Sequence, residues 1–378
     1  MVKVIISGGG TGGHVFPAIA IANALKSRIK DIDILFIGAK GRLEMDKVPA
    51  AGYPIEGLNI SGFARRLTLK NLSFPFKLAG SLLKAHNIIT RFSPDAVVGV
   101  GGYASGPTLR IAGMKGIPSL IQEQNSFPGV TNRLLATRVK TICVAYEGME
   151  KFFPREKIVF TGNPVRQDLV NLEGLEREAR SYFGLQEGRK TLFVMGGSGG
   201  AGTINASVKA CIAHGLDKEN VQVIWQTGKY YYDEVMRDFS ARNHPEVHVY
   251  PFIDRMDLAY AAADLVVSRG GAIAISELCV VGKPVILVPS PNVAEDHQNR
   301  NAEALVSKKA ALLVRDAEAP AQLYFTVRSA FDNEAQLAEL SSSIRNLAIT
   351  DAADRIALEV LKLTSGLNPV APDNNPGR

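Results

Sequence analysis

The 378-residue chain has one tryptophan and three cysteines, and only 7% of its residues are aromatic. The cysteines Cys143, Cys211 and Cys279 are odd in number, far apart and set in apolar sequence, which argues against a disulfide framework or a zinc site. Gly, Lys or Arg interrupts each long apolar run, so no transmembrane helix is predicted. The N-terminus enters a strand directly and lacks a signal-peptide layout. We therefore expect a reduced, cytoplasmic globular protein with no metal site.

Charge is distributed unevenly along the chain. Residues 1–165 hold 21 Lys and Arg against 10 Asp and Glu, whereas the formal net charge of the whole chain is +6. A basic first half suggests an anionic partner for that half, either nucleic acid or an anionic membrane surface. The choice depends on which side chains separate the basic residues.

One basic and apolar stretch lies in this half, between residues 65 and 84. The residues predicted to face a membrane are Arg65, Arg66, Leu69, Lys70, Phe74, Phe76, Lys77, Leu82 and Lys84. Nucleic acid favours polar and stacking side chains between the charges, whereas aliphatic ones suit a membrane surface, so no nucleic-acid partner is expected. Each basic residue near an anionic leaflet contributes about 1 kcal/mol, which predicts reversible docking. An ordinary helix with an apolar core face is the alternative.

Strand-like runs alternate with helical ones throughout the chain, which is typical of βαβ units and parallel sheets. Both halves begin with an apolar strand, a glycine-rich loop and a helix. The sequence therefore predicts an α/β protein of two Rossmann-like domains facing a cleft, residues 1–163 and 164–350. A helix over 351–366 is expected to pack back on the first domain. The Pro-rich tail 367–378 is expected to be disordered.

Three glycine-rich loops, at residues 7–14, 99–107 and 196–202, each follow a strand and precede a helical stretch. Glycine permits close backbone approach to a ligand, and a helix N-terminus offers free N–H groups and a partial positive charge. Three such loops predict one ligand with several phosphates or two phosphorylated ligands, and sugar nucleotides and lipid pyrophosphates both fit. His14, at the rim of the first loop, is the first candidate for a catalytic residue.

The first loop also matches the dinucleotide pattern G-x-G-x-x-G, through Gly8, Gly10 and Gly13. That reading requires an acidic residue at the end of the second strand to hold the ribose hydroxyls, and the strand ends without one. Lys40 and Arg42 could serve NADP instead, so an NADP oxidoreductase stays an alternative.

Two segments of the second half suit the sugar and ribose of a nucleotide sugar. Glu277 lies one or two turns into the helix that follows the glycine pair 270–271, where a carboxylate can accept both ribose hydroxyls. Residues 289–301 concentrate amide and acid side chains after an apolar strand, which suits recognition of sugar hydroxyls. A helix-surface glutamate and a solvated loop are the corresponding alternatives.

Together these segments resemble the MurG family, the membrane-associated transferases that add N-acetylglucosamine to lipid I and so form lipid II for peptidoglycan. The resemblance reaches about residue 365, and its motifs lie at residues 8–14, 101–107, 122–125, 162–166, 196–198, 252–254, 276–277 and 296–298. It implies the two-domain GT-B glycosyltransferase fold. It also implies inverting transfer from UDP-GlcNAc to the 4-hydroxyl of the N-acetylmuramic acid of lipid I, with no metal or other cofactor. The expected location is the cytoplasmic face of the cell membrane, with other cell-wall synthesis proteins as further partners.

The resemblance also implies roles for individual residues. His14 would be the base, and Glu123 the second candidate or the residue that orients His14, with Gly102 and Tyr103 on the acceptor side. Donor contacts would fall to Thr11, Gly12, Gly13, Asn125, Arg166, Ser198 (diphosphate), Ile253 (backbone to uracil), Glu277 (ribose) and Gln298 (sugar).

Two positions depart from the family pattern. Gly199 stands where many members have Gln, and Gly270 where Ser is common, so each removes a polar side chain. A diacylglycerol glycosyltransferase, a UDP-GlcNAc epimerase and a non-catalytic membrane scaffold that senses a nucleotide sugar stay as alternatives.

Overall fold

A computed structural model describes residues 1–60, 74–197, 199–239, 244–293 and 296–364. The chain divides into two compact units. The first contains residues 1–165 and the segment from Asp351 onward, and the second contains residues 166–350. The tail predicted over 367–378 lies outside the described residues.

The first unit is built on seven parallel strands. They are β1 (Val2–Ser7), β2 (Ile32–Ala39), β3 (Ile55–Leu58), β4 (Ala96–Gly99), β5 (Ser119–Glu123), β6 (Thr141–Val144) and β7 (Ile158–Phe160). Their order across the sheet is β3-β2-β1-β4-β5-β6-β7. The helices between them are α1 (Gly12–Arg28), α2 (Glu44–Ala50), α3 (Phe74–Phe92), α4 (Ser105–Met114) and α5 (Val130–Leu135).

The second unit repeats the design with six parallel strands. They are β8 (Lys190–Met195), β9 (Val221–Gln226), β10 (Val247–Tyr250), β11 (Leu265–Ser268), β12 (Val285–Leu287) and β13 (Leu312–Leu313), in the order β10-β9-β8-β11-β12-β13. Its helices are α6 (Glu176–Phe183), α7 (Gly202–Ala213), α8 (Tyr232–Asp238), α9 (Met256–Ala262), α10 (Ala272–Val281), α11 (His297–Val306), α12 (Ala319–Phe331) and α13 (Glu334–Arg345).

The last helix, α14 (Ala352–Leu363), belongs to the first unit and packs against α1. Its apolar side chains Ile356, Ala357 and Val360 are fully buried in the core that also holds the face of α1. Each sheet carries a hydrophobic core on both faces, as a doubly wound parallel sheet requires.

The alternating pattern of strands and helices is confirmed, but β3 and β7 lie in stretches whose sequence does not predict a strand. Both are edge strands of at most four residues, and Gly57 lies in one while Gly162 and Pro164 closely follow the other. Short strands with such neighbours carry little periodic signal.

The strand order places the glycine-rich loops at one position in each unit. The order reverses between β1 and β4, and again between β8 and β11. In open parallel sheets, ligands bind beyond the carboxyl ends of the strands at this reversal. The loops after β1, β4 and β8 and the glycine pair after β11 all lie there.

Candidate functional site

The two glycine loops of the first unit pack backbone against backbone. A Cβ atom on Gly102 would lie 2.3 Å from the Gly9 carbonyl oxygen, and one on Gly8 would lie 2.2 Å from Val100 Cγ2. Gly102 also has a φ of 83°, which side chains disfavour. Glycine is therefore required for the loops after β1 and β4 to meet. The next residue in the chain after Gly102 is Tyr103, whose side chain is 49% exposed.

His14 lies in the first turn of α1, against the second loop. Its Nδ1 is 3.3 Å from Thr11 Oγ1, and its ring is hydrogen-bonded to the Gly9 backbone. A Cβ atom on Gly101 would lie 2.8 Å from the His14 Nε2. Burial lowers the pKa of His14 to about 4, against the smaller opposing effect of the Gly9 hydrogen bond. The imidazole is therefore uncharged at neutral pH and holds a lone pair that can take up a proton.

The lowered pKa of His14 predicts a stability effect between pH 6.5 and about 4. In this window the unfolded chain binds a proton at His14 that the folded chain does not, so wild-type stability falls as the pH falls. His14→Gln removes that difference. The free energy of unfolding of the variant minus that of wild type is therefore expected to be larger at pH 5 than at pH 7.5, as measured by urea unfolding. An equal stability gap at both pH values would contradict the assigned pKa.

Glu123 ends β5 and is 1% exposed. Its carboxylate accepts hydrogen bonds from Asn125 N (3.0 Å) and Nδ2 (3.3 Å), from Gly129 N (3.0 Å) and from Asn132 Nδ2 (2.8 Å). Burial raises the pKa of Glu123, and these hydrogen bonds oppose the rise. These four hydrogen bonds let the carboxylate organise the loop after β5, and none of them goes to His14.

A buried amide network lies beside this loop. Gln124 Nε2 donates to the Val100 carbonyl (2.8 Å), and Asn163 Nδ2 donates to the Gln124 carbonyl (3.0 Å). Gln122 Nε2 donates to Asn163 Oδ1 (3.1 Å). The network ties the second glycine loop to the strands beside it and fixes the surface against which His14 packs.

The third glycine loop, in the second unit, follows β8 and leads into α7. A Cβ atom on Gly200, whose φ is 80°, would lie 2.1 Å from the Thr227 carbonyl oxygen. The helix α7 begins at Gly202, and within the described residues its N-cap residue, Ala201, makes no side-chain cap hydrogen bond. Its first turn therefore suits an anion. Ser198, predicted to face the diphosphate, lies outside the described residues.

Gln226, at the end of β9, was not identified from the sequence. It is 4% exposed; its Oε1 accepts from the Ile253 N–H (2.9 Å), and its Nε2 donates to the Gly197 carbonyl (3.4 Å). It thus connects the third glycine loop with the turn that is expected to bind the uracil of the donor. This bond occupies the Ile253 N–H, so the uracil contact expected from the Ile253 backbone falls to its carbonyl group. A polar residue ending an otherwise apolar strand is the signal that could have identified it.

Glu277 and Arg166 interact electrostatically. Burial raises the pKa of Glu277 to about 7, and the charge of Arg166 opposes the rise. The Arg166 guanidinium donates to Asp168 Oδ1 (3.0 Å) and to the Asp254 carbonyl (3.2 Å). The structure therefore brings Arg166, Glu277 and the turn after Ile253 together in one unit.

Gln298 lies at the start of α11. Its Oε1 accepts from the Ser290 N–H (2.8 Å) and so shapes the loop after β12. A Cβ atom on Gly270 would lie 2.6 Å from the Gln298 carbonyl oxygen. The glycine at position 270 therefore allows the loops after β11 and β12 to approach closely.

The predicted membrane-facing stretch is only partly described, because Arg65, Arg66, Leu69 and Lys70 lie outside the described residues. Its other members lie on α3, where Phe74 and Lys77 are partly buried and Phe76 is 82% exposed.

Two members of that predicted stretch contact the rest of the first unit and do not face solvent freely. Leu82 packs against the core, and Lys84 Nζ donates to the Gly57 carbonyl (2.9 Å). Leu83, which lies between them and was not among the predicted membrane-facing residues, is 69% exposed. The helical period of α3 causes the difference, because adjacent residues face different directions.

Among the described residues, no group of three or more His, Cys, Asp or Glu side chains could hold a metal ion. In the same part of the chain, no helix combines the length and apolar character needed to cross a bilayer. Cys143, Cys211 and Cys279 are buried and form no disulfide.

Two family models match the chain. The glycosyltransferase family 28 N-terminal domain matches residues 4–144, and the glycosyltransferase family 28 C-terminal domain matches residues 191–356. A Parabacteroides distasonis protein named UDP-N-acetylglucosamine–N-acetylmuramyl-(pentapeptide) pyrophosphoryl-undecaprenol N-acetylglucosamine transferase is 55% identical over 364 residues, covering 96% of this chain and 98% of its own. The Bacteroides thetaiotaomicron protein of the same name is 54% identical over 367 residues, covering 97% and 99%.

Solved structures show the same architecture. The crystal structure of Acinetobacter baumannii MurG has a TM-score of 0.73 and 26% identity, with 96% of this chain and 100% of that chain covered. The UDP-GlcNAc 2-epimerase from Neisseria meningitidis, solved with UDP-GlcNAc, has a TM-score of 0.68 at 15% identity, covering 96% and 100%. The second likeness concerns the fold alone.

Proposed function

We propose that this chain, which belongs to the UDP-N-acetylglucosamine–N-acetylmuramyl-(pentapeptide) pyrophosphoryl-undecaprenol N-acetylglucosamine transferase family, is the glycosyltransferase that converts lipid I into lipid II. It transfers N-acetylglucosamine from UDP-GlcNAc to the 4-hydroxyl of the N-acetylmuramic acid of lipid I. Beyond the 51–55% identity to relatives of that name, the observation that carries the proposal is the uncharged imidazole of His14 beside two packed glycine loops.

The chemistry is a direct displacement with inversion. The acceptor 4-hydroxyl oxygen attacks the anomeric carbon and forms the β-glycosidic bond, while the bond from that carbon to the UDP oxygen breaks and UDP leaves with the electron pair. The hydroxyl proton passes to the lone pair of His14. Backbone N–H groups at the start of α7 stabilise the charge that develops on the diphosphate, so the reaction needs no metal or other cofactor.

The remaining site residues divide by unit. In the second unit, Arg166, Ser198, Ile253, Glu277 and Gln298 bind the donor, with Glu277 on the ribose. In the first unit, Gly102 and Tyr103 lie on the acceptor side, and Glu123 holds the loop that carries Asn125. Thr11, Gly12, Gly13 and Asn125 complete the donor contacts.

Gln226 gives a test of the donor site. Gln226→Leu leaves the buried Ile253 N–H and the Gly197 carbonyl without their partner. An unpaired buried polar group costs about 1–3 kcal/mol, so the Ile253 turn and the third glycine loop are expected to shift away from their binding positions. The KM for UDP-GlcNAc is therefore expected to rise about tenfold. Gln222→Leu is the matched control, since Gln222 is buried in the same strand but bonds to Gln186 and Thr191. Equal KM values in the two variants would contradict the role of Gln226.

The protein docks reversibly on an anionic membrane at the cytoplasmic face, where its acceptor lies. On α3, Phe76 and Leu83 are exposed, and the neighbouring helices α4 and α5 expose Met114, Val130 and Leu134 by 70%, 70% and 72%. Large apolar side chains exposed on neighbouring helices of a basic half suit an interfacial contact. Partners among the cell-wall synthesis proteins would meet the enzyme at that membrane.

The double variant Phe76→Ser/Leu83→Ser is expected to lose about tenfold or more in affinity for vesicles containing anionic lipid, because it removes the two large apolar side chains that α3 exposes. Vesicle co-sedimentation measures the loss, and turnover with a water-soluble acceptor is expected to stay unchanged. Phe325→Ser is the control, since Phe325 is a comparably exposed aromatic residue (57%) in the second unit. Unchanged vesicle binding by the double variant would rule out this surface.

The rival transferase differs in its acceptor, and an epimerase uses none. UDP release is measured with UDP-GlcNAc and a short-chain lipid I analogue, with diacylglycerol, and with no acceptor. Release only with the lipid I analogue is expected. Release with diacylglycerol, or conversion of UDP-GlcNAc to its 2-epimer without acceptor, would overturn the function and keep the fold.

A further inference from the structure

A buried carboxylate lies directly beneath the first glycine loop. Glu44, at the start of α2, is 1% exposed. Its Oε2 accepts a hydrogen bond from the Gly10 N–H (2.8 Å), and its Oε1 accepts one from the Ala39 N–H (2.9 Å). The carboxylate thus joins the loop after β1 to the end of β2.

The surrounding glycines leave room for this side chain. A Cβ atom on Gly9 would lie 2.2 Å from the Glu44 Oε1, and one on Gly38 would lie 2.5 Å from the Glu44 Cγ. Gly9 and Gly10 also have φ values of 141° and 96°, which only glycine adopts readily. The loop conformation and the position of the carboxylate are therefore matched.

The peptide that Glu44 holds also carries a hydrogen-bond partner of His14. In a trans peptide the N–H and C=O groups point in opposite directions, so fixing the Gly10 N–H fixes the Gly9 carbonyl. The His14 ring is hydrogen-bonded to the Gly9 backbone. When one ring nitrogen donates a hydrogen bond, the other carries the lone pair of the neutral imidazole.

We propose that Glu44 is a positioning residue for His14, acting through the Gly9–Gly10 peptide. Its carboxylate orients the peptide, the Gly9 carbonyl selects one tautomer of His14, and the other ring nitrogen thereby presents its lone pair to the acceptor hydroxyl. The catalytic part of this inference rests on the proposed function. The control of the His14 tautomer does not depend on that function.

Glu44→Gln tests the proposal, since its amide can accept only one of the two N–H groups and presents a donor to the other. In full-length protein with ¹⁵N-labelled histidine, wild-type His14 is expected to show the ring shifts of one tautomer at pH 7. The variant is expected to show averaged or exchanged shifts, with His14→Gln identifying the signals. Unchanged His14 shifts in folded Glu44→Gln would overturn the proposal.

Turnover supplies the second readout. Glu44→Gln is expected to lower kcat about 10- to 100-fold, as losses of orienting partners do, with the KM for UDP-GlcNAc unchanged. In a His14→Ala background the same substitution is expected to change nothing further, whereas a merely structural role would give additive losses. Asp46→Asn, an exposed carboxylate on the same helix, is the control.

Two further measurements cover the cases in which Glu44→Gln does not fold or the protein does not act on lipid I. If Glu44→Gln does not fold, Glu44→Asp is measured in the same way, and averaged tautomers in wild-type His14 would alone overturn the proposal. If the protein does not convert lipid I, the ring shifts still report on Glu44, so the two failures are distinguishable.

Discussion

His14→Ala is expected to lower kcat for transfer to a lipid I analogue by about 10²- to 10⁴-fold, the usual contribution of a general base. The imidazole is uncharged at neutral pH because burial lowers its pKa to about 4. It can therefore accept the proton of the attacking hydroxyl without first losing one. Single-turnover transfer at saturating UDP-GlcNAc measures the effect on chemistry alone.

Donor binding provides the control for this variant. Because the proposed donor site is formed mainly by residues of the second unit, UDP affinity measured by calorimetry is expected to change less than about twofold. His86→Ala, at an exposed histidine of α3 in the same unit, is expected to behave as wild type. Near-normal turnover by His14→Ala with intact UDP binding would remove His14 from the mechanism.

The second large effect concerns Glu277 and pH. Burial raises the pKa of Glu277 to about 7, so the free enzyme loses the ionised carboxylate as the pH falls through this value. In the proposed donor site the ionised form accepts both ribose hydroxyls, and the protonated form is expected to do so less well. The KM for UDP-GlcNAc is therefore expected to rise between pH 8 and pH 6, by up to about tenfold per pH unit below the pKa.

Two variants isolate this carboxylate. Glu277→Gln is expected to have a KM about 10- to 100-fold higher at pH 8, since hydrogen bonds to a charged group contribute about 1.5–3 kcal/mol each. Its KM should also be nearly independent of pH. Glu303→Gln, at an exposed position on α11, is expected to keep the wild-type profile. The same pH dependence of KM in wild type and Glu277→Gln would contradict the assignment.

Much of the fold could be predicted because its signals are local. Apolar strands that run into glycine loops and then helices recur in both halves, and the parallel sheets follow from that alternation. The edge strands β3 and β7 could not be found, since their pairing depends on strands distant in sequence.

The site was harder to predict where contacts join distant segments. Glu44 reads as an ordinary residue in the first turn of a helix, and only the fold places it beneath Gly9 and Gly10. The role of Gln226 similarly depends on its hydrogen bonds to Ile253 and Gly197, which lie in other loops and cannot be paired with it from the sequence.

In the predicted membrane-facing stretch, composition alone could not show which leucine is exposed. Leu83 is exposed and Leu82 packs against the core, because tertiary packing sets the orientation of α3.

Inverting transfer to the 4-hydroxyl of lipid I without a metal is tested most directly by NMR of the reaction product. The product is made from UDP-GlcNAc and a short-chain lipid I analogue by protein kept in excess EDTA. We predict a single disaccharide-lipid in which N-acetylglucosamine is β-linked to the 4-position of N-acetylmuramic acid. An α-linked product, a different linkage position, or product only after a divalent metal is added would contradict the account.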